Sequence, residues 1–154
     1  MIGNGPTTLA GRRSGMRPLR AFRFSHPDLD TARSPGFAVT PTGRLDLAAG
    51  NEALRQQLLL LISTVPGERV LRPDYGCELL LLTFSPNDGT TAGLAVHYVR
   101  RAIERYAPDV RILRLDAGPS PDDPGRLDVN LSYAPVLGGN PDTLTMSVAL
   151  DGGP

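Results

Sequence analysis

Leu54, Leu58, Leu61, Ile62 and Val65 stand at offsets of four, seven, eight and eleven, the stripe of a helix with one buried face. The spacing predicts a helix from Glu52 to about Thr64, capped by Gly50-Asn51 and stopped by Pro66-Gly67. Residues 90–106 carry a second stripe, Leu94, Tyr98, Val99, Ala102, Ile103 and Tyr106, with Arg100, Arg101, Glu104 and Arg105 mostly on the other face. Between them, Gly76–Leu82 is apolar and short. It reads as a short buried helix, although periodicity alone leaves a strand open. The period then changes to two. Leu127, Val129, Leu131 and Tyr133 alternate with polar residues, as do Leu144, Met146, Val148 and Leu150, and Gly138-Gly139-Asn140-Pro141 joins the two runs. Val110–Leu115 is a further strand, followed by a Gly118–Gly125 loop, and Phe37–Thr40 is a short strand before a Pro41-Thr42-Gly43 turn. Together these elements predict one compact α+β domain over residues 36–151, with about three helices layered on a small mixed or antiparallel sheet.

Residues 1–35 lack such periodicity. Rich in Gly, Pro and Ser, they are expected to form a flexible basic arm. Residues 1–27 contain five arginines and no acid, whereas residues 107–154 contain seven Asp and three Arg. Because the net charge is zero and the basic excess sits in the arm, gripping nucleic acid is not the expected task. All sixteen basic residues are arginine, as GC-rich coding would give, and arginine also suits fixed bidentate carboxylate contacts. No apolar run approaches the length of a membrane span, and no apolar segment of signal-peptide length follows the basic start, so a soluble protein without a secretion signal is expected.

Catalytic patterns are sparse. His26 and His97 stand alone, and no GxSxG, P-loop or GxGxxG occurs, so neither metal nor cofactor is expected. Asp122-Asp123 between prolines reads as a loop tip, and the lone Cys77 beside Leu79–Leu82 as a buried, inert thiol. One enzyme reading has a physical basis: paired carboxylates cleave glycosidic bonds when one remains protonated in apolar surroundings. Glu68, Glu78 and Glu104 are the conceivable acids, but Arg69 and Arg72 beside Glu68 favour its ionised form, the wrong direction for a general acid.

The densest constellation is VPGERVLRPDYG, residues 65–76. Pro66, Gly67, Pro73 and Gly76 would hold the connection rigid, so that Glu68, Arg69, Arg72 and Tyr75 form either an internally paired turn or a preorganised contact patch. In order, the stretch TPTGRLDLAAGNEALRQQLLLLISTVPGERVLRPDYGCELLLLTFSPN, a following helix, RAIERYAPDVRI and alternating strands resemble the small baseplate wedge protein family. That family occurs in contractile phage tails, type VI secretion baseplates and extracellular contractile injection systems, and the resemblance covers about residues 37–150.

The resemblance implies a non-enzymatic structural subunit that links the baseplate wedge and the tube, hub or spike to the first sheath ring and initiates sheath assembly. Implied partners are the sheath subunit and other wedge proteins, with about six copies per baseplate in a closed ring, assembled in the bacterial cytoplasm. The runner-up is a lysozyme-like glycoside hydrolase acting on peptidoglycan, a label some family members have carried. One departure stands out: the family shows Glu-Pro-Arg after the long helix, where this chain has Ala107-Pro108-Asp109 with Arg111 two positions on. Pro108, Asp109 and Arg111 are therefore a second expected contact. A third is a sheet edge for sheath docking. Leu127–Tyr133 and Thr143–Leu150 are the candidate strands, the latter favoured as the last strand, with Thr143, Thr145 and Ser147 on its polar face.

Overall fold

The computed structural model describes residues 20–25 and 36–151. The elements run β1 (Arg20–Phe22), β2 (Phe24–Ser25), β3 (Gly36–Phe37), β4 (Leu47–Ala49), α1 (Asn51–Ser63), a 3-10 helix (Glu78–Leu82), α2 (Gly89–Tyr106), β5 (Val110–Pro119), β6 (Arg126–Pro135) and β7 (Asp142–Ala149). The fold is α+β, with two α-helices and the 3-10 helix forming the helical part. The apolar run at 78–82 becomes a 3-10 helix because Leu79 and Leu82, three residues apart, both reach the core, while Leu80 and Leu81 remain exposed.

Helix α1 buries Leu54, Leu58, Leu61 and Ile62 as the stripe predicts, and Val65 beyond its end is half-buried. Helix α2 buries Val99, Ala102 and Ile103 of the expected stripe and half-buries Tyr98 and Tyr106, departing from it at the first turn. Thr91, Ala95, Val99, Ala102 and Ile103 face inward and Leu94 is exposed, so small residues set the approach of this helix to its neighbours. Its first turn is capped by the Asp88 carboxylate, which accepts the Thr91 N–H at 2.9 Å. That backbone hydrogen bond holds the Asp88 carboxyl below its ordinary value.

The main sheet has the order β5-β6-β7 and both pairings are antiparallel. Strand β6 is central. Its Leu127, Val129, Leu131 and Tyr133 are fully buried, and Leu144, Met146 and Val148 of β7 lie beside them in the core. Helix α2 packs on this sheet. Strand β5 runs four residues past the expected Leu115, its register interrupted by a bulge between Ile112 and Arg114, so the loop after it is shorter than Gly118–Gly125.

Before α1, β1 pairs with β4 and β2 with β3 in two small antiparallel ribbons. The expected strand at Phe37–Thr40 is reduced to β3 plus an isolated bridge from Val39 to Leu45 around the 41–43 turn. The ribbons are pinned to α1 through polar groups. The Arg23 guanidinium pairs with Asp46 at 2.6 Å and with Glu52, and the Gln56 amide accepts the Phe24 N–H at 3.0 Å while donating to the Phe22 carbonyl. Of the stretch expected to be a free arm, residues 20–25 belong to these ribbons; the remainder, 1–19 and 26–35, lies outside the described residues, as does His26.

Two glycines carry the connection after α1. Gly67 adopts φ +100° in open space, whereas Gly76 adopts φ +134° with its Cα against the Thr64 carbonyl, so that a Cβ there would lie 2.4 Å from that oxygen. Gly67→Ala should therefore cost about 1 kcal/mol, from the left-handed backbone alone. Gly76→Ala should cost at least about 3 kcal/mol, because strain and a backbone clash add. Urea denaturation of the two variants checks the order, and equal losses would contradict it.

Candidate functional site

The 65–76 connection is three tight turns in series, each closed by an N–H three residues on donating to a carbonyl. They are Glu68 to Val65 at 3.1 Å, Arg72 to Arg69 at 3.1 Å and Tyr75 to Arg72 at 3.1 Å. The first has Pro66 and Gly67 at its centre, the pair a type II turn favours, with Gly67 supplying the positive φ, and the third has Pro73 at its second position, where its fixed φ fits. Two longer bonds close the whole, Gly67 N–H to the Pro73 carbonyl at 2.7 Å and Cys77 N–H to the Thr64 carbonyl at 2.8 Å. The expected rigidity thus has a hydrogen-bonded basis.

Of the two sequence expectations, the internal Glu68–arginine pairing is absent. Glu68 pairs with neither Arg69 nor Arg72; its carboxylate turns back and accepts the Val65 N–H at 2.9 Å. The Arg69 guanidinium lies 4.4 Å over the Tyr75 ring, whose other neighbour is Tyr106 of α2 at 5.1 Å between centroids. No described carboxylate pairs with Arg69 or Arg72. Asp74 is held by Arg105 at 2.9 Å and its carbonyl accepts the Tyr106 hydroxyl, while Glu78 is held by Arg101 at 3.0 Å. Those α2 arginines looked like a solvated face in sequence. Only the fold brings Asp74 and Glu78 to them. Gly67, Glu68, Arg69, Arg72 and Pro73 are exposed, Pro66 and Tyr75 are half-buried, and Gly76 is buried and acts on the path of the chain.

Asp74, Cys77, Glu78, Tyr98 and Arg101 line a shallow groove beside this loop. Glu78 is ion-paired there and Glu68 points at backbone N–H, so neither sits in the apolar enclosure a protonated general acid needs. Glu104 is exposed on α2. Cys77 is buried, and burial pushes its thiol up to about 11. Among the described residues no group of three or more His, Cys, Asp or Glu is arranged to hold a metal, and no helix is long and apolar enough to cross a membrane.

The post-helix motif begins at Ala107, one residue past Tyr106, whose ring packs at a tilt against Tyr75 of the loop. Ala107 is buried and closes α2, whereas Pro108, Asp109 and Arg111 are exposed. Neither Asp109 nor Arg111 makes an ion pair; the Asp109 carbonyl accepts the Val136 N–H at 2.8 Å, tying the motif to the β6–β7 hairpin.

The sheet order separates the two candidate edge strands. Leu127–Tyr133 lies in central β6, paired on both sides, and offers no edge; β7 is an outer strand. The Thr143 carbonyl accepts from Arg55 at 2.9 Å and its N–H donates to the Asp142 carboxylate at 2.8 Å, so its backbone groups point away from β6. The alternation of a strand puts those of Thr145 and Ser147 on the same outer side. Their hydroxyls instead face solvent in a ladder with β6: Thr143 with Ser132 at 3.3 Å, Thr145 with Asn130 at 2.8 Å, Ser147 with Arg126 at 2.9 Å. The other outer strand, β5, is bulged, whereas the β6–β7 register runs unbroken from Arg126–Ala149 to Tyr133–Asp142.

A model of the family described as baseplate wedge protein gp25 matches residues 48–136. Among solved structures, a Geobacter sulfurreducens protein provisionally called a tail lysozyme is similar at 28% identity and TM-score 0.63, covering 70% of this chain and 96% of its own. A chain of the six-fold symmetrised anti-feeding prophage baseplate shares the fold at 17% identity and TM-score 0.57, covering 87% of each chain. No curated protein sequence matches.

With its thiol shifted to about 11, Cys77 holds a very small thiolate fraction at pH 8, and that fraction rises as pH approaches the shifted value. Alkylation by iodoacetamide at pH 8 should be at least about a hundredfold slower in the native protein than in urea. Comparable rates in the two states would show an accessible thiol.

Proposed function

The chain belongs to the baseplate wedge protein gp25 family, and on that premise we propose that it is a non-catalytic subunit joining the wedge and the tube, hub or spike to the first sheath ring. Sheath polymerisation then starts from it. The observation that supports this reading is the edge of β7: unbulged, one-sided, and with the backbone groups of Thr145 and Ser147 directed outward. An extended segment of a sheath subunit adds there as a further strand, using main-chain hydrogen bonds that require no particular side chains. Arg55 and Asp142 occupy the Thr143 end and Arg126 donates to the Ser147 carbonyl at 3.3 Å, so pairing begins at Thr145 and an added strand displaces Arg126 to reach Ser147. The 65–76 loop and the exposed Pro108, Asp109 and Arg111 form the other contact region, toward neighbouring wedge proteins. About six copies per baseplate, assembled in the bacterial cytoplasm, fit a closed ring, in line with the six-fold anti-feeding prophage baseplate whose chain shares this fold.

Proline removes a backbone donor, so Thr145→Pro and Ser147→Pro should leave a folded protein but abolish sheath nucleation in an assembly assay read by electron microscopy. Thr145→Ala, which loses only the Asn130 hydrogen bond, should nucleate sheath normally. Sheath of normal length on both proline variants would move the docking edge elsewhere.

The lysozyme label of the Geobacter sulfurreducens protein points to a separate check. Purified protein should release no soluble fragments from peptidoglycan above background. Turnover abolished by Glu68→Gln would replace the structural reading with an enzymatic one.

A further inference from the structure

Val70 and Leu71 are the central residues of the Arg69–Arg72 turn, and each is 94% exposed. Such positions ordinarily carry Gly, Pro, Asn, Asp or Ser, each of which helps the backbone turn. The two flanking turns obey that rule, with Pro66-Gly67 and Pro73-Asp74 at their centres; the middle one does not. An aliphatic pair there contributes neither to the turn nor to the core. A local rule broken without structural gain, in a loop otherwise built for rigidity, marks a surface shaped for something outside the chain.

The surroundings state the chemistry of that partner. Arg69 and Arg72 flank the pair and no described carboxylate neutralises either one. The nearest acid in sequence, Glu68, has its carboxylate turned onto the Val65 N–H, and Asp74 is taken by Arg105. The tip is therefore two aliphatic side chains between two guanidiniums, on a backbone whose ordering entropy is already spent.

We propose that Val70 and Leu71 are a hydrophobic anchor that inserts into an apolar pocket, rimmed by carboxylates, on another protein of the baseplate. This rests on the baseplate reading above and adds to it the residues that supply the binding. The buried aliphatic pair provides affinity, and Arg69 and Arg72 provide orientation through carboxylates at the pocket rim.

The test uses the full chain expressed with the other genes of its particle, its copy number relative to the tube protein being measured by quantitative mass spectrometry of purified particles. Val70→Ser with Leu71→Ser should lower occupancy about tenfold or more, while the exposed positions leave the melting temperature of the isolated protein unchanged. Val70→Ile with Leu71→Met, which keeps the apolar volume, should restore occupancy. Photo-reactive benzoylphenylalanine in place of Val70 should cross-link to a different baseplate protein, at a peptide combining apolar residues with Asp or Glu. Wild-type occupancy in the double-serine variant overturns the anchor, as does a cross-link only to a second copy of this chain, to lipid, or to a basic or wholly polar surface. Loss with double serine that Val70→Ile and Leu71→Met fail to restore also overturns it. Absence of the wild-type chain from particles would instead overturn the baseplate reading itself.

Discussion

The constraint on which the rest depends is the close approach of Gly76 to the carbonyl of Thr64. That carbonyl, one residue past the end of α1, accepts the Cys77 N–H at 2.8 Å, and only a residue without Cβ passes beneath it. The contact ties the exit of the loop to the end of the helix that precedes it. It sets the direction in which the chain enters the 3-10 helix, whose Leu79 and Leu82 then meet the core between α1 and α2. It also places Asp74 and Tyr75 against Tyr106, so the loop is braced on α2 from one side and closed on α1 from the other.

Because the loop is closed by backbone bonds, the side chains at its tip, Val70, Leu71 and Arg72, are released from holding it. Glu68 completes the bonding of the Val65 N–H just past α1, and Asp74 and Tyr75 brace the loop on α2. The other acids near the groove are neutralised by arginines projecting from α2, a charge distribution that suits a fixed scaffold and leaves no carboxyl isolated in apolar surroundings.

The two outer strands of the sheet show the same division between what is closed and what is left open. Strand β5 is interrupted by a bulge and carries Arg111 and Arg114 along its exposed positions, features that discourage pairing with another strand. Strand β7 carries none of these and is shielded at Thr143 by Arg55 and Asp142 and at the Ser147 carbonyl by Arg126. Of the outward-facing Thr143, Thr145 and Ser147 of β7, Thr145 alone has no side chain bonded to its backbone groups.

Much of the architecture was legible in sequence because hydrophobic periodicity is a local property. The α1 stripe, the two alternating strands and the Pro66-Gly67 stop all follow from steric rules acting over a few residues. The α2 stripe departs from expectation only at its first position, because Leu94 and Ala95 are both apolar and only the neighbouring element decides which is covered. The pairing of the α2 arginines with Asp74 and Glu78, the inward turn of Glu68, and the central place of β6 involve residues far apart in the chain or choices among several local partners. Local sequence therefore determined which segments become helix, strand and rigid turn. The packing of those segments alone decided which charges are satisfied, which strand edge stays open, and that Val70 and Leu71 stand out in solvent, because each depends on what the fold brings, or fails to bring, alongside.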